Sequence, residues 1–71
     1  MPQYRFDAKR FLKAAASRGD ITGYAIAQRT GLTEGTVSRI IKGHRQPKFE
    51  SAALLARTYG ARLDDFVYEA A

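Results

Sequence analysis

Four glycines cut this chain into short helical pieces, and nothing covalent can hold the pieces together. Gly19, Gly31, Gly43 and Gly60 each close a run whose apolar residues recur at helical spacing. The 71 residues include no cysteine and a single histidine, His44. Disulfides are excluded, and the residues supply no ligand set for a zinc or iron site, so no metal and no cofactor is expected. One small domain over residues 1–71 buries a modest core. Its stability must come from close helix packing, with self-association as a second available source.

The pieces are read as five helices and an all-α fold. Asp7 can cap a first helix of about ten residues, with Ala8, Phe11, Leu12 and Ala15 on one apolar face. Thr22 caps a second helix running to Thr30, with Ile26 and Ala27 inward. Thr33 caps a third, through about Lys42, with Val37, Ile40 and Ile41 apolar. Pro47 forbids continuation through "HRQPK". A fourth helix is expected over roughly 48–59, with the stripe Phe49, Ala52, Leu55, Ala56 and Tyr59. "ARLDDFVYEA" reads as a fifth short helix with Leu63, Phe66 and Val67 inward. "QYRF" alternates near the start but is too short to establish a strand.

Charge is divided along the chain. The net charge is +5, yet residues 1–48 carry a balance of +7 and residues 49–71 a balance of −2. A basic front and a faintly acidic back suit a polyanion on one side; the plain alternative is solubility. No apolar run approaches the ~20 residues of a membrane span, and "MPQYRFDAKRF" has no apolar core of a signal peptide. A soluble cytoplasmic protein with no membrane contact is expected, in keeping with the absence of cysteine.

Residues 22–43 meet the demands of two helices joined by a tight turn. Ala27 is small where the helices cross. Gly31 tolerates positive φ at the turn. Leu32, Val37 and Ile40 lock the second helix to the first. The chain "TGYAIAQRTGLTEGTVSRIIKGHRQPKFESAALLARTYGARLDDFV" resembles the lambda-repressor-like helix-turn-helix regulators, of the Cro and phage-repressor type. The resemblance runs from about Asp7 to Val67. It is carried by Ala27, Gly31, Val37, Ser38, Ile40, Gly43 and Pro47, the "G-x-R-x-P" loop and the two helical segments after it.

The resemblance implies a compact five-helix domain with the helix-turn-helix in helices 2 and 3. Helix 3, about residues 33–42, would enter the major groove of double-stranded DNA. By position it implies base reading by Thr33, Glu34, Gly35, Thr36, Ser38 and Arg39. Arg39 can donate twice to guanine O6 and N7, and Glu34 can accept from cytosine N4. Phosphate contacts are expected from the N–H groups opening helix 2, at Thr22, Gly23 and Tyr24. Others are expected from Lys42, His44, Arg45, Gln46 and Lys48 around the following loop. The family commonly has glutamine where this chain has Gly23, which leaves only the backbone to bind phosphate there. It often has glutamate where this chain has Ile41; an apolar contact with the "AAA" run at 14–16 would replace an ion pair.

Plainer readings stand beside several of these. Arg39 could be a solvated helix charge, and Tyr24 could cover the core. Arg5, Lys9 and Arg10 could touch DNA backbone or form a solvated face. Asp64 and Asp65 suit a helix start without catalysis, and no catalytic set or phosphate loop is present, so the chain is not expected to be an enzyme. A transcriptional regulator, most readily a repressor from a bacterial chromosome, phage or plasmid, is the first reading. The alternative is the antitoxin of a toxin-antitoxin pair that also binds its own promoter. The few residues before Asp7 and after Val67 favour the first. A domain this small reads few base pairs, so a homodimer is expected, formed in solution or only on DNA. Leu54 and Tyr68 on the less basic side are candidate contacts.

Overall fold

The computed structural model describes residues 3–70. The helices are α1 (Ala8–Ser17), α2 (Gly23–Thr30), α3 (Glu34–Ile41) and α4 (Phe49–Thr58). A 3-10 turn, Leu63–Asp65, follows α4. Strands β1 (Gln3–Phe6) and β2 (Val67–Ala70) pair antiparallel, with Phe6 opposite Val67 and Gln3 opposite Ala70.

Three helices start at the residues expected to cap them. Asp7 accepts from the Arg10 N–H at 3.1 Å, Thr22 from Ala25 at 3.1 Å and Thr33 from Thr36 at 3.2 Å. Each bond satisfies an N–H that the first helical turn leaves open. Lys48 precedes α4 and gives it no side-chain cap.

The expectation of five helices and an all-α fold is corrected. Among the described residues there are four α-helices, and the segment read as a fifth is one 3-10 turn leading into a strand. Asp65 accepts the Arg62 N–H at 2.8 Å and closes the turn on itself. The Asp7 N–H then donates to the Phe66 carbonyl at 2.6 Å, which starts the ladder to β1. Val67 and Tyr68 fit a pleated surface better than a helix. "QYRF" is the partner strand.

Phe11, wholly buried, is the centre of the core. Its ring lies 5.6 Å from Phe6, 5.4 Å from Tyr59 and 5.6 Å from Phe66, the last two edge-on. Such pairs add about 0.5–1.5 kcal/mol each beyond area burial. Ile26, Val37, Ile40, Leu55 and Ala56 complete the interior, and Leu12, Ala14 and Ile41 pack half-buried against it. Phe49 departs from the expected stripe and is 73% exposed. It opens α4, and at 100° per residue it lies roughly 70° from the middle of the stripe formed by Ala52, Leu55, Ala56 and Tyr59.

One polar cluster lies beside the aromatic rings, with Asp20 and Tyr59 buried and Arg29 exposed. Asp20, 8% exposed, accepts from Arg29 and from the Tyr59 hydroxyl at 2.7 Å. It ties the loop before α2 to α2 itself and to the end of α4. The hydrogen bond from Arg29, and then that from Tyr59, hold the Asp20 carboxyl below its ordinary value. Burial, and then the bond to Asp20, push the Tyr59 hydroxyl up to about 12.

These shifts make stability depend on pH at both ends of the range. A depressed carboxyl contributes above its unfolded value and is lost as pH falls below about 4, through the lower folded value. The raised Tyr59 contributes in full below pH 10 and is lost as pH rises to about 12. Tyr59→Phe should cost about 1 kcal/mol at neutral pH and reduce the alkaline loss. Urea titrations of both proteins across pH check this; an alkaline limb equally steep in Tyr59→Phe would refute it.

Candidate nucleic-acid interface

The turn between α2 and α3 is held by backbone geometry and one hydroxyl. Gly31 sits at φ 83°, where a Cβ is strained, and its N–H donates to the Ala27 carbonyl at 2.9 Å. The buried Thr30 donates its hydroxyl to the Ile26 carbonyl at 2.8 Å and accepts the Leu32 N–H at 3.3 Å. Thr30 thus closes α2 and aims the chain into α3. Ala27 is buried, as a close crossing of the two helices requires.

Burial of Val37 and Ile40 turns the opposite side of α3 outward. At 3.6 residues per turn, Gly35, Arg39 and Lys42 form the outer stripe. Glu34, Gly35 and Arg39 are exposed, and Thr36 and Ser38 are half-buried at the flanks. Thr33 donates its hydroxyl to Thr36 Oγ1 at 2.8 Å while accepting the Thr36 N–H. That arrangement leaves the Thr36 O–H free to donate to an acceptor outside the protein.

The loop after α3 is folded back onto the helix end. The Arg39 carbonyl accepts from His44 at 2.9 Å and from Arg45 at 3.2 Å, and the Ile40 carbonyl accepts from Gly43 at 3.1 Å. Lys42, His44, Arg45 and Lys48 are exposed around this anchored loop, and no acid occurs from Gly35 to Phe49. Cations here also favour the negative end of the α3 dipole. A cleft of about 280 Å³ between α3 and α4 is lined by Thr36, Arg45, Lys48 and Ser51, among others. Ser51 was not singled out from the sequence, since its place in this cleft depends on how α4 packs.

The other expected contact residues divide. Thr22 is exposed at the start of α2. Tyr24 is 59% exposed and does not cover the core. A methyl on Gly23 would meet Ile41 Cδ1 at 3.8 Å and Val37 Cγ1 at 3.9 Å, ordinary contacts, so packing does not demand glycine there. Gln46 is partly engaged: its Oε1 accepts the Phe6 N–H at 2.8 Å, and only its amide N–H groups remain to offer. Ile41 is half-buried against the core that Ala14 also joins. Among the described residues no group of three or more His, Cys, Asp and Glu could hold a metal ion, and no helix is long and apolar enough to cross a membrane.

A family model described as helix-turn-helix matches residues 12–66, which covers α2, the turn, α3, the basic loop and α4. No curated protein and no solved structure matches the chain.

Gly35 offers a test of what shapes this surface. It lies inside α3, its φ is not positive, and a Cβ built there meets nothing within 4 Å. Glycine inside a helix is about 0.8–1 kcal/mol worse than alanine. Gly35→Ala should therefore raise the urea midpoint by an amount equivalent to about 1 kcal/mol. A destabilised Gly35→Ala would mean that the fold itself needs the glycine.

Proposed function

The chain belongs to the Cro/C1-type helix-turn-helix family of DNA-binding regulators, and on that premise we propose that it is a sequence-specific transcriptional repressor that lays α3 in the major groove of double-stranded DNA. The observation that carries the reading is the outer face of α3. Small, polar and glycine positions run into a basic loop that is bonded to the helix end.

Within this reading the residues take separate roles. Arg39 donates to guanine, the Thr36 hydroxyl donates to a base acceptor, and Glu34 accepts from an amino group. Thr33 orients Thr36, Ser38 contacts the flank of the site, and Gly35 lets the helix backbone come close. The N–H groups of Gly23 and Tyr24, the Thr22 hydroxyl and the cations of the loop grip phosphates. Gln46 adds its amide N–H. Two copies occupy one operator, because one domain of this size contacts too few base pairs to be selective.

Reading and gripping are separable by experiment on duplexes selected from a random pool. Arg39→Ala should cost about 1–3 kcal/mol on the preferred duplex and relax one base position, with little change on a scrambled duplex. Arg45→Ala should weaken both duplexes alike and reduce the salt slope by about one unit per site. For about four to six phosphate contacts, the log–log slope per subunit should be roughly −4 to −5. A salt-independent affinity, or no selected sequence at all, would overturn the reading.

A further inference from the structure

We propose that the groove along the free edge of β1 is a self-association surface, occupied by a second copy of this chain whose β1 runs antiparallel to the first. The inference rests on the reading above for the need to place two recognition helices on one DNA. Its location comes from four features of the fold.

The first is the direction of the backbone groups. In an antiparallel ladder alternate residues face the partner strand. The Asp7 N–H donates toward β2, to the Phe66 carbonyl, and so the odd-numbered residues of β1 point that way. The even-numbered ones point to the other edge. There the Phe6 N–H meets the side chain of Gln46 instead of a strand. Tyr4 faces the same edge, and among the described residues nothing bonds its N–H or carbonyl. Gln46 stands where the carbonyl of a third strand would stand, and one residue further along the edge is open.

The second feature is apolar surface. A groove of about 450 Å³ flanks this edge, lined in part by Tyr4, Pro47, Phe49 and Leu63. Tyr4 is 65% exposed and Phe49 is the core residue that the fold left outside. The third is charge. Arg5 and Asp64 line the same groove, and neither takes part in an ion pair among the described residues. Opposite charges on one face let it be complementary to itself: under the proposed two-fold axis each Arg5 would meet the partner's Asp64, and the contact closes at two copies. Antiparallel pairing of identical strands has that same symmetry.

The fourth is position. Gln46 and Pro47 border the groove and belong to the loop that ends α3. No residue of α3 lines the groove, so a copy seated there leaves the outer face of that helix uncovered.

The test is sedimentation of the chain, alone and on the selected duplex, with charge-reversed variants. Arg5→Glu and Asp64→Lys should each disperse the dimer, or abolish cooperative loading where the dimer forms only on DNA. The double variant should restore it. A pair of facing Tyr4 residues would lie ~5.5 Å apart at Cα, within disulfide reach. Tyr4→Cys, the sole cysteine of its chain, should therefore cross-link on mild oxidation, whereas Ser17→Cys should not. Unfolding curves confirm that each variant is folded. A monomer both free and on DNA overturns the proposal, as does a dimer indifferent to the charge reversals or uncross-linked by Tyr4→Cys. Specific binding by such a monomer would leave the DNA reading intact. A dimer obeying these variants but selecting no sequence would sink that reading alone.

Discussion

The contacts of Phe11 hold this domain together. Its ring meets Phe6 at the end of β1, Tyr59 at the end of α4 and Phe66 at the entrance to β2. One residue of α1 thus gathers the beginning, the later helix and the close of the chain. The chain has no cysteine to cross-link, and among the described residues no metal-binding group relieves it of that work. α2 and α3 have eight residues each, well below the ~12–15 at which an isolated helix becomes even marginal in water. They persist because the surface assembled around Phe11 gives Ile26, Val37 and Ile40 somewhere to be buried.

Orientation of the outer helix is set from both of its ends. Asp20, in the loop before α2, joins Arg29 in the last turn of α2 to Tyr59 at the end of α4. Thr30 and Gly31 fix the exit of α2. The Arg39 carbonyl then secures the basic loop beyond α3. These hydrogen bonds restrain the face of α3 at both of its ends. Restraint of this kind lowers the ordering cost of binding.

Places where the fold gives up stability coincide with surfaces it does not itself use. Gly35 weakens a helix without any contact that needs it. α4 begins without a side-chain cap. Phe49 and Tyr4 hold aromatic rings in water. Local rules broken without internal benefit are characteristic of sites shaped by a partner. Here they divide between the α3 face proposed to meet DNA and the groove proposed for a second copy.

The amino-acid sequence by itself determined the caps at Asp7, Thr22 and Thr33, the turn at Gly31, and the inward placing of Val37 and Ile40. Each depends on neighbours within about four residues, over which helix periodicity and capping chemistry operate. The basic loop was legible for the same reason, since Lys42, Arg45 and Lys48 fall within seven residues with no acid among them. Tertiary structure alone decided the strand at Val67–Ala70 in place of a fifth helix, the Asp20 cluster, the exposure of Phe49 and the engagement of Gln46. Leu63, Phe66 and Val67 have helical spacing, but Phe6 and Asp7 lie at the other end of the chain and offer a ladder that the spacing cannot reveal. Asp20 finds Tyr59 39 residues away, and Gln46 finds Phe6 40 residues back. Such partners meet only after the helices have packed around Phe11. A local pattern records what a residue prefers among its neighbours, and the distant partner that overrides the preference appears only in the folded chain.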